Sequence, residues 1–280
     1  MGYFISGADI AAFAAQLRRE ERAKGTLEKY LRDVRALQRW LDGRPVAQDS
    51  LAGWKAWLLQ EGYAPATVNS MLAAVNTFLR CMGWTECRVK FLKIQRRLFR
   101  EHRRELTRAE YARLLDAARQ QGRERLALLM ETICATGIRV SELRYITLAA
   151  VRLGRAEIAL KGKLRTILLP AKLCRKLQAY ARKHAIASGE LFLTARGKPL
   201  GRRQIWGEMK GLCPLAGVEK SKVFPHNLRH LFATTFYQSC KDIARLADVL
   251  GHSSIETTRV YLLTTGREHR RALDRLGLVS

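Results

Sequence analysis

Acidic residues are scarce in this 280-residue chain: 25 Asp and Glu stand against 51 Lys and Arg, a formal charge of +26. A chain this basic repels itself unless it meets a polyanion. Residues 1–100 hold 17 basic and 9 acidic side chains, and the remaining residues hold 34 and 16. Both parts carry the surplus, as expected if both touch nucleic acid. A ribosomal or membrane-surface protein has a similar balance, so charge selects a partner class and not an activity. Long apolar runs are also missing. Although 48% of residues are hydrophobic, no stretch approaches the roughly 20 consecutive apolar residues that span a bilayer. The opening MGYFISGADIAAF has neither the basic head nor the long apolar core of a secretory signal. A soluble, intracellular protein is expected, without membrane contact. The six cysteines form no C-x-x-C pair and no Cys/His cluster with zinc spacing, so buried or scattered thiols in a reducing cytosol are expected. No Walker motif, acidic metal cluster, internal repeat or low-complexity tract is found. Neither a metal nor another cofactor is expected.

What is present is mostly helical periodicity. In the first hundred residues Ile10, Phe13 and Leu17 recur at helical spacing, with Gly25 as the stop. Thr26 opens a second run carrying Tyr30, Val34, Leu37 and Leu41, broken at Gly43-Arg44-Pro45. A third run passes through Leu51, Trp54 and Leu58 to Gly62. A fourth follows Pro65 through Val68, Leu72, Val75 and Leu79 to Gly83. The expectation is a bundle of about four helices over 1–87. From Arg88 to Arg108 the chain turns to nine basic and two acidic residues. Such a run is read either as a solvated linker or as one lying along phosphates, with Arg96, Arg97, Arg103 and Arg104 as DNA-binding candidates. The linker is placed at 88–105 and a second domain at 106–280. That domain opens on the capping box Thr107-x-x-Glu110 and continues with an apolar helix near 123–135. Glu157–Leu160 and Thr166–Leu169 read as a β-hairpin closed by Lys161-Gly162-Lys163-Leu164. Leu191–Leu193 reads as a further short strand. The fold class is therefore mainly α with a small β-hairpin in the second domain.

Three strings stand out. In ATGIRVSEL (135–143), Gly137 suits a left-handed helix end, and Ser141 and Glu142 suit the next helix start. Arg139 is left at a bend beside a helix N-terminus, where anions bind well, although a surface arginine in a loop fits equally. In PHNLRH (225–230), His226 and Arg229 lie three apart on one helix face, either as a phosphate clamp or as a plain basic face. In LGHSSIETTRVY (250–261), Gly251 stops one helix and Ser253-x-x-Glu256 starts the next. His252 falls in the turn and Tyr261 about two turns on; a lone helical tyrosine ordinarily packs.

Arg, Lys, His-x-x-Arg, His and Tyr occur in that chain order, with nine residues from His252 to Tyr261. This order and the strings ATGIRVSEL, HNLRHLFAT and LGHSSIETTRVY resemble the tyrosine recombinase (phage integrase) family in its two-domain, Xer-like form. The resemblance covers nearly the whole chain. It implies a helical core-binding domain followed by an α+β catalytic domain, without a separate arm-binding domain. It implies a site-specific recombinase that cleaves and rejoins DNA through a 3′-phosphotyrosine, without metal or ATP. Residue by residue, Arg139 and Arg229 match the catalytic arginines, and Glu142 the acidic residue three positions after the first of them, expected to support His226 as the base. His226 and His252 match the two histidines, and Tyr261 the nucleophile. The family's hairpin lysine commonly sits in a G-K-G-x-K-x-R pattern, and this hairpin is one residue shorter. Lys161 is aligned with it, and Lys163 is the alternative.

The resemblance has a chemical logic. Two guanidiniums can bind the non-bridging oxygens of a pentacoordinate phosphorus and so replace a metal ion. His252 can add a hydrogen bond, and His226 can accept the phenol proton. A lysine can protonate the leaving 5′-oxygen. The implied partner is double-stranded DNA, in the cytoplasm with the nucleoid. The apolar stripe Leu273, Leu276 and Leu278 of the tail either docks on a neighbouring protomer of a homo- or hetero-tetramer or folds back on its own domain. A type IB topoisomerase and an inert DNA-binding regulator are the rival readings.

Overall fold

A computed structural model describes residues 2–94, 105–160, 163–259, 261, 274 and 275; at 160 and 163 only the backbone is described. The chain divides into two compact units, residues 1–96 and 97–280.

The first unit is a bundle of α1 (Gly7–Arg19), α2 (Lys24–Leu41), α3 (Gln48–Gln60) and α4 (Pro65–Cys81). Its core is built from the expected apolar positions. Phe13, Leu17, Val34, Leu37, Trp54, Leu58, Leu72 and Leu79 are all fully or almost fully buried, joined by Phe78, which the pattern does not single out. Each large side chain contributes about 1.5–3 kcal/mol on burial. One boundary differs from the sequence reading. Gly25 does not stop α1, which ends at Arg19; it lies inside the first turn of α2. A glycine there costs little, because the first-turn backbone N–H groups have no intrahelical partner in any case. Asp33, buried on α2, is held by Lys29 at 2.6 Å and Arg32 at 3.0 Å. Beyond α4 the chain is pinned by side-chain amides. Asn76 Nδ2 donates to the Val89 carbonyl at 3.0 Å, and Asn69 Nδ2 donates to that of Leu92 at 2.9 Å.

The second unit opens on the Thr107/Glu110 capping box of α5 (Arg108–Gln120), followed by α6 (Glu124–Thr136). Val140–Tyr145 is a single 3-10 segment and not the α-helix start expected at Ser141 and Glu142. Then come α7 (Leu148–Leu153), β1 (Arg155–Leu160) and β2 (Lys163–Leu168). The two strands pair antiparallel, with Leu160 opposite Lys163. The paired strands are therefore longer than the sequence suggests. Lys163, Leu164 and Arg165 belong to β2, and Lys161-Gly162 lies outside the described residues. Leu191–Leu193 forms no strand. Isolated bridges Thr147–Glu190 and Leu193–Pro199 take its place, because a three-residue apolar run has no neighbouring strand to complete a ladder. The unit closes with α8 (Ala171–Lys183), α9 (Arg202–Lys210), α10 (Cys213–Ala216), α11 (Pro225–Cys240), α12 (Ile243–Leu250) and α13 (Ile255–Arg259).

The main core of this unit is formed by α5–α10 and the hairpin, with Leu228 from α11. A smaller cluster joins Ala233 of α11 with Leu246 and Leu250 of α12 and with Tyr261, lined by Phe232 and Phe236. Cys87, Cys174 and Cys213 are buried and Cys81, Cys134 and Cys240 partly so, all as free thiols. Among the described residues, no helix is long and apolar enough to cross a membrane.

Candidate active site

The three strings singled out in the sequence converge on one guanidinium. Arg229, in the second turn of α11, is 3% exposed. Its Nη1 donates to the Gly137 carbonyl just past the end of α6. Its Nη2 donates to the Leu250 carbonyl at 2.8 Å, at the end of α12, and to His252 Nε2 at 2.9 Å. The ends of two helices thus deliver orphan carbonyls and negative dipole ends to one cation, which is the arrangement a buried arginine needs. Both approaches require glycine. Gly137 has φ +65°, and a Cβ there would overlap the Phe232 ring. Gly251 has φ +64°, and a Cβ there would overlap the Arg165 guanidinium.

Arg139 heads the 3-10 segment, whose own Glu142 reaches back to it. The Glu142 carboxylate accepts the Arg139 backbone N–H at 2.7 Å and its Nη1 at 3.0 Å. Glu142 is 1% exposed, and Arg165 Nη2 also donates to it at 2.5 Å. Arg139, by contrast, leaves 42% of its side chain exposed. Sequence reasoning did not single out Arg165. Its position on β2, two residues after Lys163, was the available signal, but the longer turn expected there hid its inward orientation. In the structure Arg165 links the hairpin to Glu142 and, through a 3.4 Å hydrogen bond to the Val249 carbonyl, to the end of α12.

Burial, and then repulsion from Arg139, holds both Arg229 and Arg165 below the ordinary arginine value; Tyr261 in hydrogen-bonding contact opposes this for Arg229, and Glu142 opposes it for Arg165. The same surroundings press harder on His252. Burial, then Arg229, Arg139 and Arg165, push it down to about 4. Its Nδ1 lies 2.9 Å from Thr258 Oγ1.

Tyr261 lies two residues beyond α13 and is 7% exposed. Three histidines surround its ring. His252 stacks at 6.0 Å between centroids, His230 meets it edge-on at 5.2 Å, and His226 lies at 6.2 Å. His226 is exposed at the start of α11. His230, 4% exposed and 3.7 Å from Glu105, was also missed. It sits next to Arg229 in sequence, yet the expected face of α11 was drawn through His226 and Arg229 only. The cap of α13 differs as well. Ser254, not Ser253, accepts from the Glu256 backbone N–H, at 3.2 Å. Lys161, the side chain of Lys163, the linker candidates Arg96, Arg97, Arg103 and Arg104, and the tail stripe Leu273, Leu276 and Leu278 lie outside the described residues. Among the described residues, no cluster of three or more His, Cys, Asp or Glu is placed to hold a metal ion.

The depressed His252 sets a pH dependence. An unfolded histidine binds a proton near pH 6.5, whereas this one resists until about 4. Between those values the unfolded chain holds the extra proton, so stability falls as pH falls through that window and stops falling below it. Denaturant unfolding of wild type and His252→Gln at pH 7 and pH 4.5 checks this. The wild type is expected to lose more stability than the variant, and equal losses would contradict the assignment.

An arginine-lined site with a buried tyrosine on a mainly helical unit, in a chain that also carries a separate helical bundle, defines the tyrosine recombinase class. Residues 104–266 match the family described as phage integrase, and residues 10–85 match the phage integrase N-terminal SAM-like domain. The chain belongs to the phage integrase family. It is 29% identical to tyrosine recombinase XerA of Pyrococcus furiosus, over 96% of this chain and 94% of that protein. It is 30% identical to tyrosine recombinase XerD of Xanthomonas campestris, over 90% and 85%. In fold it resembles a lambda integrase tetramer bound to a Holliday junction, with a TM-score of 0.72 and 18% identity over 91% of this chain and 76% of that one.

Proposed function

We propose that this protein recombines double-stranded DNA at specific sites by forming a 3′-phosphotyrosine at Tyr261. The observation that carries the reading is the convergence on Arg229 of Gly137, Leu250 and His252, with Tyr261 in contact with the same guanidinium. A tyrosine that only packs has no need of a buried arginine and three histidines.

The scissile phosphate enters against Arg139, the exposed guanidinium, with Arg229 behind it. Charge developing on the non-bridging oxygens is then met by preorganised cations. Glu142 fixes Arg139 from both its backbone and its side chain and is in turn fixed by Arg165. His226, the exposed histidine beside Tyr261, takes the phenol proton as the tyrosine attacks phosphorus. His252 is neutral here, and its Nε2 already accepts from Arg229, so its first task is to orient that guanidinium. The free 5′-oxygen leaves with a proton from Lys161, with Lys163 as the alternative donor. The phosphotyrosine conserves the bond energy, and a 5′-hydroxyl from a second strand reverses the reaction. The first unit is the core-binding domain, and residues 88–108, including Arg96, Arg97, Arg103 and Arg104, track the phosphate backbone. Strand exchange calls for a tetramer on DNA, consistent with the lambda integrase assembly, with the C-terminal tail as the contact between protomers. The cellular location that follows is the cytoplasm, on the nucleoid.

The test is covalent capture on a nicked duplex carrying the bound site, in EDTA and without nucleotide. A 3′-phosphate adduct on Tyr261, identified by peptide mass spectrometry, is the expected product. A 5′-linkage, an adduct on another residue, or a strict magnesium requirement for cleavage overturns the proposal.

A further inference from the structure

Thr258 lies between His252 and Tyr261 with no role assigned to it in the reaction, yet it is fully buried on α13 and its Oγ1 lies 2.9 Å from His252 Nδ1. The hydrogen-bond chain has only one consistent proton assignment. Arg229 has donors and no acceptor, so its Nη2–H donates and His252 Nε2 accepts. The imidazole that accepts at Nε2 carries its hydrogen on Nδ1, which then donates to the Thr258 hydroxyl. We infer that Thr258 is a positioning residue that fixes His252 in the Nδ1–H tautomer and thereby aims the Arg229 guanidinium, tying the helix before the nucleophile to the phosphate-binding arginine.

The link has a mechanical consequence. Arg229 is anchored to the ends of α6 and α12, whereas Tyr261 follows α13. Thr258 is the point at which α13 grips this anchored set, three residues before the tyrosine. When the hydroxyl is removed, Nδ1–H loses its acceptor, the ring is released to turn or change tautomer, and an Nε2–H would then face Arg229 as two opposed donors. The depressed titration of His252 agrees with a ring that stays neutral in this position. The effect lies on the chemical step, because Thr258 is buried and does not reach DNA.

The inference rests on the proposed reaction for its kinetic consequence but not for its structural one, so two readouts separate the two. The first is nitrogen-15 NMR of histidine-labelled, DNA-free full chain. Wild type is expected to show His252 protonated at Nδ1 and bare at Nε2. Thr258→Val, which keeps the shape and loses the hydroxyl, is expected to lose that signature, and Thr258→Ser to retain it. The second is single-turnover cleavage of a nicked duplex. Thr258→Val is expected to cleave about tenfold more slowly with unchanged DNA affinity, and Thr258→Ser to recover most of the rate. An unchanged tautomer in a folded Thr258→Val, or a valine variant that cleaves at the wild-type rate, overturns the inference. So does a rate loss that serine does not restore, which would mean that Thr258 only packs. If wild type forms no covalent adduct while the tautomer readout responds as expected, the recombinase reading fails and the positioning assignment stands.

Discussion

Tyr261→Phe is expected to abolish covalent DNA attachment, lowering single-turnover cleavage by at least about 10⁴-fold, as removal of a nucleophile does in comparable covalent enzymes. The fold should survive the change. The ring packs against Ala233, Leu246 and Leu250 and meets His230 edge-on, contacts that phenylalanine keeps. The hydroxyl contact with Arg229 is lost, and one such hydrogen bond is worth about 1 kcal/mol net. Denaturant unfolding and DNA-binding titrations should therefore match wild type within about that margin while adduct formation disappears. Residual adduct at a neighbouring residue, or cleavage at an appreciable rate, would remove Tyr261 from the reaction.

The second large effect is expected at Arg229, where stability and chemistry fail together. Arg229→Lys keeps the charge but replaces a planar fork with a single ammonium, which cannot meet the Gly137 carbonyl, the Leu250 carbonyl and His252 Nε2 in the same plane. At least one buried carbonyl is then left unsatisfied, at a cost of about 1–3 kcal/mol. Cleavage should fall by roughly 10²–10³-fold, the usual loss when one preorganised donor to a transition-state oxyanion is removed. Arg229→Ala should go further, because the Gly137 and Leu250 carbonyls both lose their buried donor, each at a cost of about 1–3 kcal/mol. Chemical denaturation together with single-turnover kinetics measures both quantities. A lysine variant with wild-type stability would mean that the two helix ends do not depend on this guanidinium.

These effects locate what can be read along a chain and what cannot. The periodicity of Ile10, Phe13 and Leu17, and of Val68, Leu72, Val75 and Leu79, is a local property of a helix that buries one face, and it led directly to α1 and α4. The Thr107/Glu110 capping box was equally legible, since its two hydrogen bonds are made within a single turn. Strand assignments failed where they depended on partners. Leu191–Leu193 lacks a neighbour with which to form a ladder. Lys163 and Leu164 read as turn residues in the sequence because their pairing with Leu160 and Ala159 is set across the hairpin.

The amino-acid sequence determined the helical bundle, the basic surplus, and the order in which Arg139, His226, Arg229, His252 and Tyr261 are met, because spacing and residue type are local facts. Tertiary structure alone decided that Arg229 is buried and bridges two helix ends, that Arg165 turns inward to Glu142, and that His230 and Thr258 join the site. Residues separated by some 20 to 90 positions meet there, and which acceptor receives which donor depends on where helices end in space. No spacing along the chain encodes that geometry.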